Sequence, residues 1–162
     1  MKTLVLMRHA KSDWGAQYDS DFQRPLNARG LRDAPVMAAF LAQHNLLPEM
    51  VVTSPAQRAR ATADYVVRED MFLGELIEDN RIYLASATML LDVIHDLPEA
   101  SERIMLVGHN PGMEDLIAAL GGGAVRMPTA AIASLRLYAD TWADVQPGDA
   151  HLQWLVKPKI LR

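Results

Sequence analysis

The chain has 162 residues, of which 50% are apolar and 22% are charged, and this composition excludes the disordered and fibrous classes of protein. Its formal net charge of -4 argues against a general nucleic-acid binder, which needs a basic surface. It contains no cysteine, so disulfides, a thiol nucleophile and thiolate-bound metal sites are excluded.

The length suits one domain, predicted to span residues 1–162. No stretch of sequence approaches the roughly 20 apolar residues of a membrane span. The apolar run at residues 4–7 is interrupted by Arg8 and His9, so it is too short for a secretory signal. We therefore expect a cytoplasmic protein with no membrane or nucleic-acid partner.

Predicted strands and helices alternate through most of the chain. Buried strands are predicted at residues 3–7, 50–53 and 103–107, and a further strand at 76–78. Helices are predicted from residue 31 to 41, from 56 to 68, from 86 to 97 and from 113 to 120. Two further strands, at 132–138 and 152–156, are joined by a polar turn and so are predicted to be antiparallel. This order predicts an α/β fold, a three-layer α/β/α sandwich with a mostly parallel central sheet.

The first predicted helix contains a proline. Apolar residues recur at helical spacing from Leu31 to Leu41, which favours a helix there. Pro35 lacks the N–H group that a helix interior uses, so it is tolerated only near the first turn. We therefore expect a loop over residues 13–29 and a late start to the helix.

Polar clusters follow three of the predicted strands. The first is Arg8-His9, the second runs from Ser54-Pro55 to Arg58, and the third is Gly108-His109-Asn110-Pro111. If these strands are parallel neighbours, two arginines and two histidines meet at one edge of the sheet, where ligands of α/β proteins usually bind.

Two arginines and two histidines together suit a tetrahedral dianion. The guanidinium fork matches phosphate oxygens in a bidentate manner. A neutral imidazole can attack phosphorus, while a second imidazole donates to an oxygen of the transferring group. Because the protein's own cations can neutralise the phosphoryl group, we expect neither a metal nor another cofactor.

Three motifs in this order carry a family resemblance. They are Met7-Arg8-His9-Ala10, Ser54-Pro55-x-x-Arg58-Ala59-x-x-Thr62-Ala63 and Gly108-His109-Asn110-Pro111-Gly112. Together they resemble the signature of the histidine phosphatase superfamily, which is also called phosphoglycerate mutase-like. Within it the chain is most similar to SixA-type phosphohistidine phosphatases. The similarity lies in its small size and in three segments, residues 8–12, 24–26 and 128–133.

The resemblance implies a role for each matching residue. His9 is implied to be the nucleophile that is transiently phosphorylated, Arg8 and Arg58 to hold the phosphoryl oxygens, and His109 to donate a hydrogen bond to the transferring group. Water then releases inorganic phosphate from His9. Substrate contacts at the rim are expected from four further residues, Lys11, Ser12, Arg24 and Asn110. The implied substrate is a protein that carries phosphohistidine.

One feature of the family is missing from the sequence. Many members carry a carboxylate that protonates an ester leaving group, but residues 81–84 contain none, and Glu78 and Asp79 come too early. An unprotonated alkoxide leaves poorly, whereas the imidazole of phosphohistidine leaves more readily. The missing acid therefore favours a phosphohistidine or another activated substrate.

Other residues near these motifs receive a simpler interpretation. Four carboxylates are candidates to replace the missing acid, but each is interpreted as a loop charge or a charge in the first turn of a helix. They are Asp13, Asp21, Glu114 and Asp115. Trp14 has two interpretations, a residue at the pocket mouth or a cap on the core.

Two other functions remain open at this point. One is a phosphomonoesterase of the same superfamily that acts on a small phosphate ester. The other is a non-catalytic module that binds phosphate or a phosphoprotein.

Overall fold

The computed structural model describes residues 1–162 and is built on one six-stranded sheet. The strands are β1 (Thr3–Arg8), β2 (Met50–Thr53), β3 (Glu75–Glu78), β4 (Arg103–Gly108), β5 (Ile132–Leu137) and β6 (Ala150–Val156). Their order across the sheet is β3-β2-β4-β1-β5-β6. The first four strands in this order are parallel, and β5 and β6 join the edge as antiparallel neighbours. The predicted mostly parallel sheet and the antiparallel tail are both confirmed.

Helices cover both faces of this sheet. They are α1 (Ala28–Gln43), α2 (Gln57–Val67), α3 (Ala87–His95), α4 (Gly112–Leu120) and the short α5 (Pro158–Leu161). Alternate residues of β1 enter different cores, because successive side chains of a strand point to opposite faces. Leu4 and Leu6 pack with α3 and α4, whereas Val5 and Met7 pack with α1 and α2. The three-layer architecture is therefore confirmed.

Helix α1 starts earlier than its proline predicts. Asn27 caps the helix, and its side-chain oxygen accepts a hydrogen bond of 2.9 Å from the Gly30 N–H. Pro35 consequently lies inside the helix, so the expectation of a late start is wrong. The inward face, with Met37 and Leu41 fully buried, together with the cap outweighs the one backbone hydrogen bond that proline removes.

The sheet brings the ends of three strands to one edge. Strand β4 lies between β1 and β2 and is parallel to both, with Arg8 opposite Gly108 and Thr53 opposite Val107. The segments that follow these strands therefore emerge side by side. No helix of the structure is both long enough and apolar enough to cross a membrane.

Candidate active site

A cavity of about 340 Å³ lies at this edge of the sheet. Its lining includes all eight residues that the sequence predicts for the site: Arg8, His9, Lys11, Ser12, Arg24, Arg58, His109 and Asn110. Four further residues line it, Trp14, Asp21, Leu84 and Thr129. The parallel strand order thus brings together residues that are separated by up to a hundred positions in the sequence.

His9 is held as a neutral ring with one free nitrogen. Its Nδ1 lies 2.7 Å from the carbonyl oxygen of Ala10, so Nδ1 carries the proton and the lone pair is on Nε2. The next N–H, that of Ala10, donates to Thr62 Oγ1 at 2.9 Å, and Thr62 Oγ1 donates to the Arg58 carbonyl at 2.7 Å. This chain of bonds ties the segment after β1 to the first turns of α2.

Burial, with smaller contributions from His109, Arg58 and Arg8, lowers the pKa of His9 from 6.5 to about 3. Desolvation disfavours the charged imidazolium, and nearby cations add to this effect. His9 is therefore uncharged at neutral pH, as a nitrogen nucleophile must be.

His109 stands beside His9, with ring centroids 5.1 Å apart. Its Nε2 lies 2.8 Å from Ser54 Oγ, which itself accepts a hydrogen bond from the Ala56 N–H. The Ser54 hydroxyl proton is thus available to Nε2, which places the ring proton of a neutral His109 on Nδ1. Burial lowers the pKa of His109 to about 4, with Arg58 contributing in the same direction.

Three arginines surround the two histidines, and each is anchored by part of its guanidinium group. Arg58 donates from Nη1 to the Asp21 carbonyl at 2.7 Å and from Nη2 to the Asp21 carboxylate at 3.0 Å. Arg24 donates from Nη1 to Ser12 Oγ and from Nη2 to Asp21 at 2.8 Å. Arg8 donates from Nη1 to the Met127 carbonyl at 3.0 Å.

Asn110 and Glu114 brace the segment that holds Arg8. The Asn110 amide donates to Glu114 at 2.8 Å and to the Met127 carbonyl at 2.9 Å. Glu114 also accepts from the Met127 N–H at 2.7 Å. Both amide protons of Asn110 are therefore used within the protein, and only its Oδ1 is left without a partner.

Asp21 lies in the cavity, so its interpretation as a simple loop charge is wrong. Its carboxylate accepts a 2.6 Å hydrogen bond from the Tyr83 hydroxyl and pairs with Arg24 and Arg58. The Tyr83 and Arg24 hydrogen bonds, with Arg58, hold the pKa of Asp21 well below its usual range. The loop over residues 13–27 folds back over the sheet edge, a long-range approach that local patterning does not reveal.

Tyr83 is the residue that sequence reasoning missed. Burial and the hydrogen bond to Asp21 raise its pKa, and its ring meets the edge of His109 at 5.5 Å. A signal was available, because Tyr83 falls in the segment 81–84, where the family resemblance leads one to look for a carboxylate. Glu78 and Asp79 point elsewhere and pair with Arg60 and Arg81.

The rim of the cavity contains Trp14 and Lys11. Trp14 is 66% exposed and stacks on the Arg24 guanidinium at 3.5 Å, which settles its two interpretations in favour of the pocket mouth. Lys11 has no carboxylate within salt-bridge distance, in contrast to Lys2.

The buried side-chain polar atoms that have no partner in the protein all belong to residues that line this cavity. They are Nε of Arg8, Arg24 and Arg58, Nδ1 of His109 and Oδ1 of Asn110. Buried polar groups are normally hydrogen-bonded, because an unpaired one costs about 1–3 kcal/mol. Four of the five atoms are nitrogens that can donate, so the cavity is prepared for a ligand rich in acceptor oxygens.

The chain is similar to proteins of one family. Residues 4–82 match the model of the histidine phosphatase superfamily (branch 1). An uncharacterized protein of Mycobacterium tuberculosis is 32% identical over 157 residues, which cover 90% of this chain and 96% of that protein. The match extends well beyond the three motifs.

Solved structures of SixA proteins have the same fold. A protein of Agrobacterium tumefaciens assigned as the phosphohistidine phosphatase SixA is 28% identical, with a TM-score of 0.81 over 97% of this chain and 98% of that one. A protein histidine phosphatase SixA complexed with tungstate has a TM-score of 0.84 at 22% identity over 99% of both chains. The second similarity concerns the fold alone.

Proposed function

The chain belongs to the histidine phosphatase superfamily, and we propose that it is a phosphatase that works through a phosphohistidine intermediate on His9, with a phosphohistidine-bearing protein as its substrate. The observation that carries this proposal is the cluster of partnerless nitrogen donors around a neutral imidazole. Phosphate oxygens are acceptors, and a tetrahedral group offers enough of them to use every donor at once.

In the first step the lone pair on Nε2 of His9 attacks phosphorus. The hydrogen bond from Nδ1 to the Ala10 carbonyl fixes the ring for this attack and stabilises the positive charge that develops on the imidazole. The P–N bond of the substrate breaks as the new P–N bond forms. The substrate reacts in the form in which its second ring nitrogen is protonated, so the imidazole departs with the electron pair of the broken bond and leaves as a neutral ring.

The charge of the transferring group is met by side chains that the fold has already desolvated. Arg8 and Arg58 face its oxygens, and His109 donates from Nδ1. Because these donors are fixed before the substrate arrives, little reorganisation is needed in the transition state. In the second step water attacks phosphorus, the bond to His9 breaks, and inorganic phosphate leaves while its oxygens take up the proton from water.

The one carboxylate that lines the cavity supports phosphohistidine as the substrate. Asp21 is held ionised by its hydrogen bonds from Tyr83, Arg24 and Arg58, so at neutral pH it has no proton to give. A phosphate ester of an alkyl alcohol needs such a proton on its leaving oxygen. A phosphoramidate such as phosphohistidine does not, and it is the better substrate for this site.

The test is the His9→Ala variant, assayed for phosphate release and for covalent labelling by radiolabelled phosphoramidate or phosphohistidine peptide. The wild type is expected to form an acid-labile, alkali-stable label, and the variant to lose both label and turnover by at least about 1,000-fold. His151→Ala, a change at an exposed histidine, is the matched control and is expected to behave as wild type.

A panel of substrates separates the remaining functions. Higher kcat/KM on an alkyl phosphate than on a phosphohistidine peptide, with a pH profile that requires an acid, would replace the proposal with a small-molecule phosphomonoesterase. Tight phosphate binding without label on His9 would indicate a binding module.

A further inference from the structure

A second cavity of about 340 Å³ adjoins the first and is lined by cations. We define the basic cleft by the four cations that line it, Arg29, Lys157, Lys159 and Arg162. Thr129 lines both this cleft and the catalytic cavity, so the two are neighbours that share a wall. No aspartate or glutamate side chain lines the basic cleft.

The positive charge of the basic cleft is only partly compensated. Asp33 is the nearby carboxylate, and its side chain is 1% exposed. Arg162 makes a two-pronged pair with it at 2.8 and 2.9 Å, while Arg29 and Arg32 lie at 3.6 and 3.8 Å. One buried carboxylate thus holds three guanidinium groups in place and leaves a surplus of positive charge.

The lysines add to this surplus. The chain has four lysines, and only Lys2 has a carboxylate partner. The other three, Lys11, Lys157 and Lys159, all line the catalytic cavity or the basic cleft. Lys157 and Lys159 are exposed. The three lysines without a carboxylate partner therefore all lie beside the candidate active site, although the chain as a whole is acidic.

A local cluster of unpaired cations on an acidic protein affects which partners the protein binds. On a protein with a net charge of -4, the average field repels an acidic partner, and a local cluster of cations attracts it and orients it. Lys157 and Lys159 are exposed and without a carboxylate partner, and they stand apart from the guanidinium groups that Asp33 holds. That geometry fits several carboxylates spread along a chain better than one compact phosphate.

We propose that the basic cleft binds acidic residues that flank the phosphohistidine of a protein substrate, and so makes the site selective for phosphohistidine within an acidic segment. The proposal deepens the proposed function and rests on it. The phosphoryl group enters the catalytic cavity, and the adjoining polypeptide passes Thr129 and places its carboxylates against Lys157 and Lys159. The cleft then contributes to KM more than to kcat, because it touches no reacting atom.

The experiment compares two phosphohistidine peptides that differ only in their flanks, one with three Glu residues and one with three Gln residues. At low ionic strength the wild type is expected to favour the acidic peptide at least fivefold in kcat/KM, through KM, and to lose the preference in high salt. K157Q/K159Q is expected to abolish the preference while its turnover of phosphoramidate stays within twofold of wild type.

R68Q/R136Q is the matched control, because it removes the same charge from two arginines that have no carboxylate partner and lie away from the cleft. Arg136 pairs with the start of β1, and Arg68 follows the end of α2. This variant is expected to retain the preference. Equal preference in wild type and K157Q/K159Q, or none in wild type, would overturn the proposal.

Binding to the His9→Gln variant separates failure of this proposal from failure of the proposed function. If the wild type hydrolyses neither phosphoramidate nor either peptide, the proposed function fails. The fluorescence anisotropy of labelled peptides bound to His9→Gln then still reports whether Lys157 and Lys159 select the acidic flank. A loss of affinity for an oligouridylate in K157Q/K159Q, with no discrimination between the peptides, would overturn the acidic-peptide assignment in favour of nucleic acid.

Discussion

A cation lies at each end of β1, the buried Lys2 at its start and the half-buried Arg8 at its end, and the two differ in their hydrogen bonding. At the start of the strand Lys2 uses all three of its N–H donors, on the Glu99 and Ser101 carbonyls and on Glu102 at 2.6, 3.2 and 3.1 Å. At the other end Arg8 has one bond to a carbonyl and a buried Nε without a partner. The first arrangement is complete without a ligand, and the second is not. Whether all hydrogen-bond donors of the side chain have partners within the protein therefore distinguishes a structural cation from a functional one better than burial or charge alone.

The largest effect is expected in the catalytic cavity, at the end of β1 where Arg8 lies. Arg58→Gln removes a charge and a donor from the cavity, and kcat/KM should fall at least about 100-fold, because a lost donor to a developing oxyanion costs this much in kcat. The assay is phosphate release from phosphoramidate, with circular dichroism as the control for folding. Activity within threefold of wild type would show that Arg58 does not hold the phosphoryl group.

The next effect concerns pH and stability. The folded-state pKa values of His9 and His109, about 3 and about 4, lie below the ordinary value of 6.5, so below pH 6.5 the unfolded chain takes up protons that the folded chain refuses. Folding stability is therefore lost as pH falls from about 6.5 towards these values. Between pH 7 and 5 each histidine should account for about 2 kcal/mol of that loss.

His9→Gln isolates this contribution. Urea unfolding of the variant should show a loss between pH 7 and 5 that is smaller than the wild-type loss by about 2 kcal/mol. His151→Gln, an exposed position, serves as the control. Identical pH dependence in wild type and His9→Gln would mean that His9 titrates as an ordinary solvated histidine.

A smaller effect is expected at Asp21. Its carboxylate occupies the same guanidinium groups that a phosphate would use, so Asp21→Asn removes a competing negative charge. Inhibition by inorganic phosphate should tighten roughly 3- to 10-fold, while turnover of phosphoramidate stays within about tenfold because Asp21 gives no proton. A variant that loses turnover of activated substrates altogether would contradict this role.

The smallest effect tests the structural end of the strand. Lys2→Met leaves the carbonyls of Glu99 and Ser101 without their donor, and the free energy of unfolding should fall by about 1–2 kcal/mol. Activity should be unchanged. A loss of kcat/KM comparable to that of Arg58→Gln would remove the distinction between the two ends.

The sequence predicted the sheet and the central residues well, for reasons that are local. β1, β2 and β4 are short apolar runs, and each is followed by its polar cluster, so the parallel order of these three strands brings Arg8, Arg58 and His109 together. The same logic failed for Asp21 and Tyr83, which reach the cavity through a loop and a 3₁₀ turn.

Two further features lay outside local patterning. The start of α1 was misjudged because burial of its inner face and the Asn27 cap outweigh the cost of Pro35. The basic cleft joins residues from α1 to those after β6, and only their positions in space reveal that unpaired lysines gather beside the catalytic cavity.

A crystal structure with vanadate tests the central claim most directly. The mechanism predicts that Nε2 of His9 lies in line with the apical vanadate oxygen opposite it, which stands where the leaving group or the attacking water would be. It also predicts that Arg8, Arg58 and His109 Nδ1 donate to equatorial oxygens within about 3.2 Å. Vanadate bound away from His9, or bound there without contact to both arginines and His109, would contradict it.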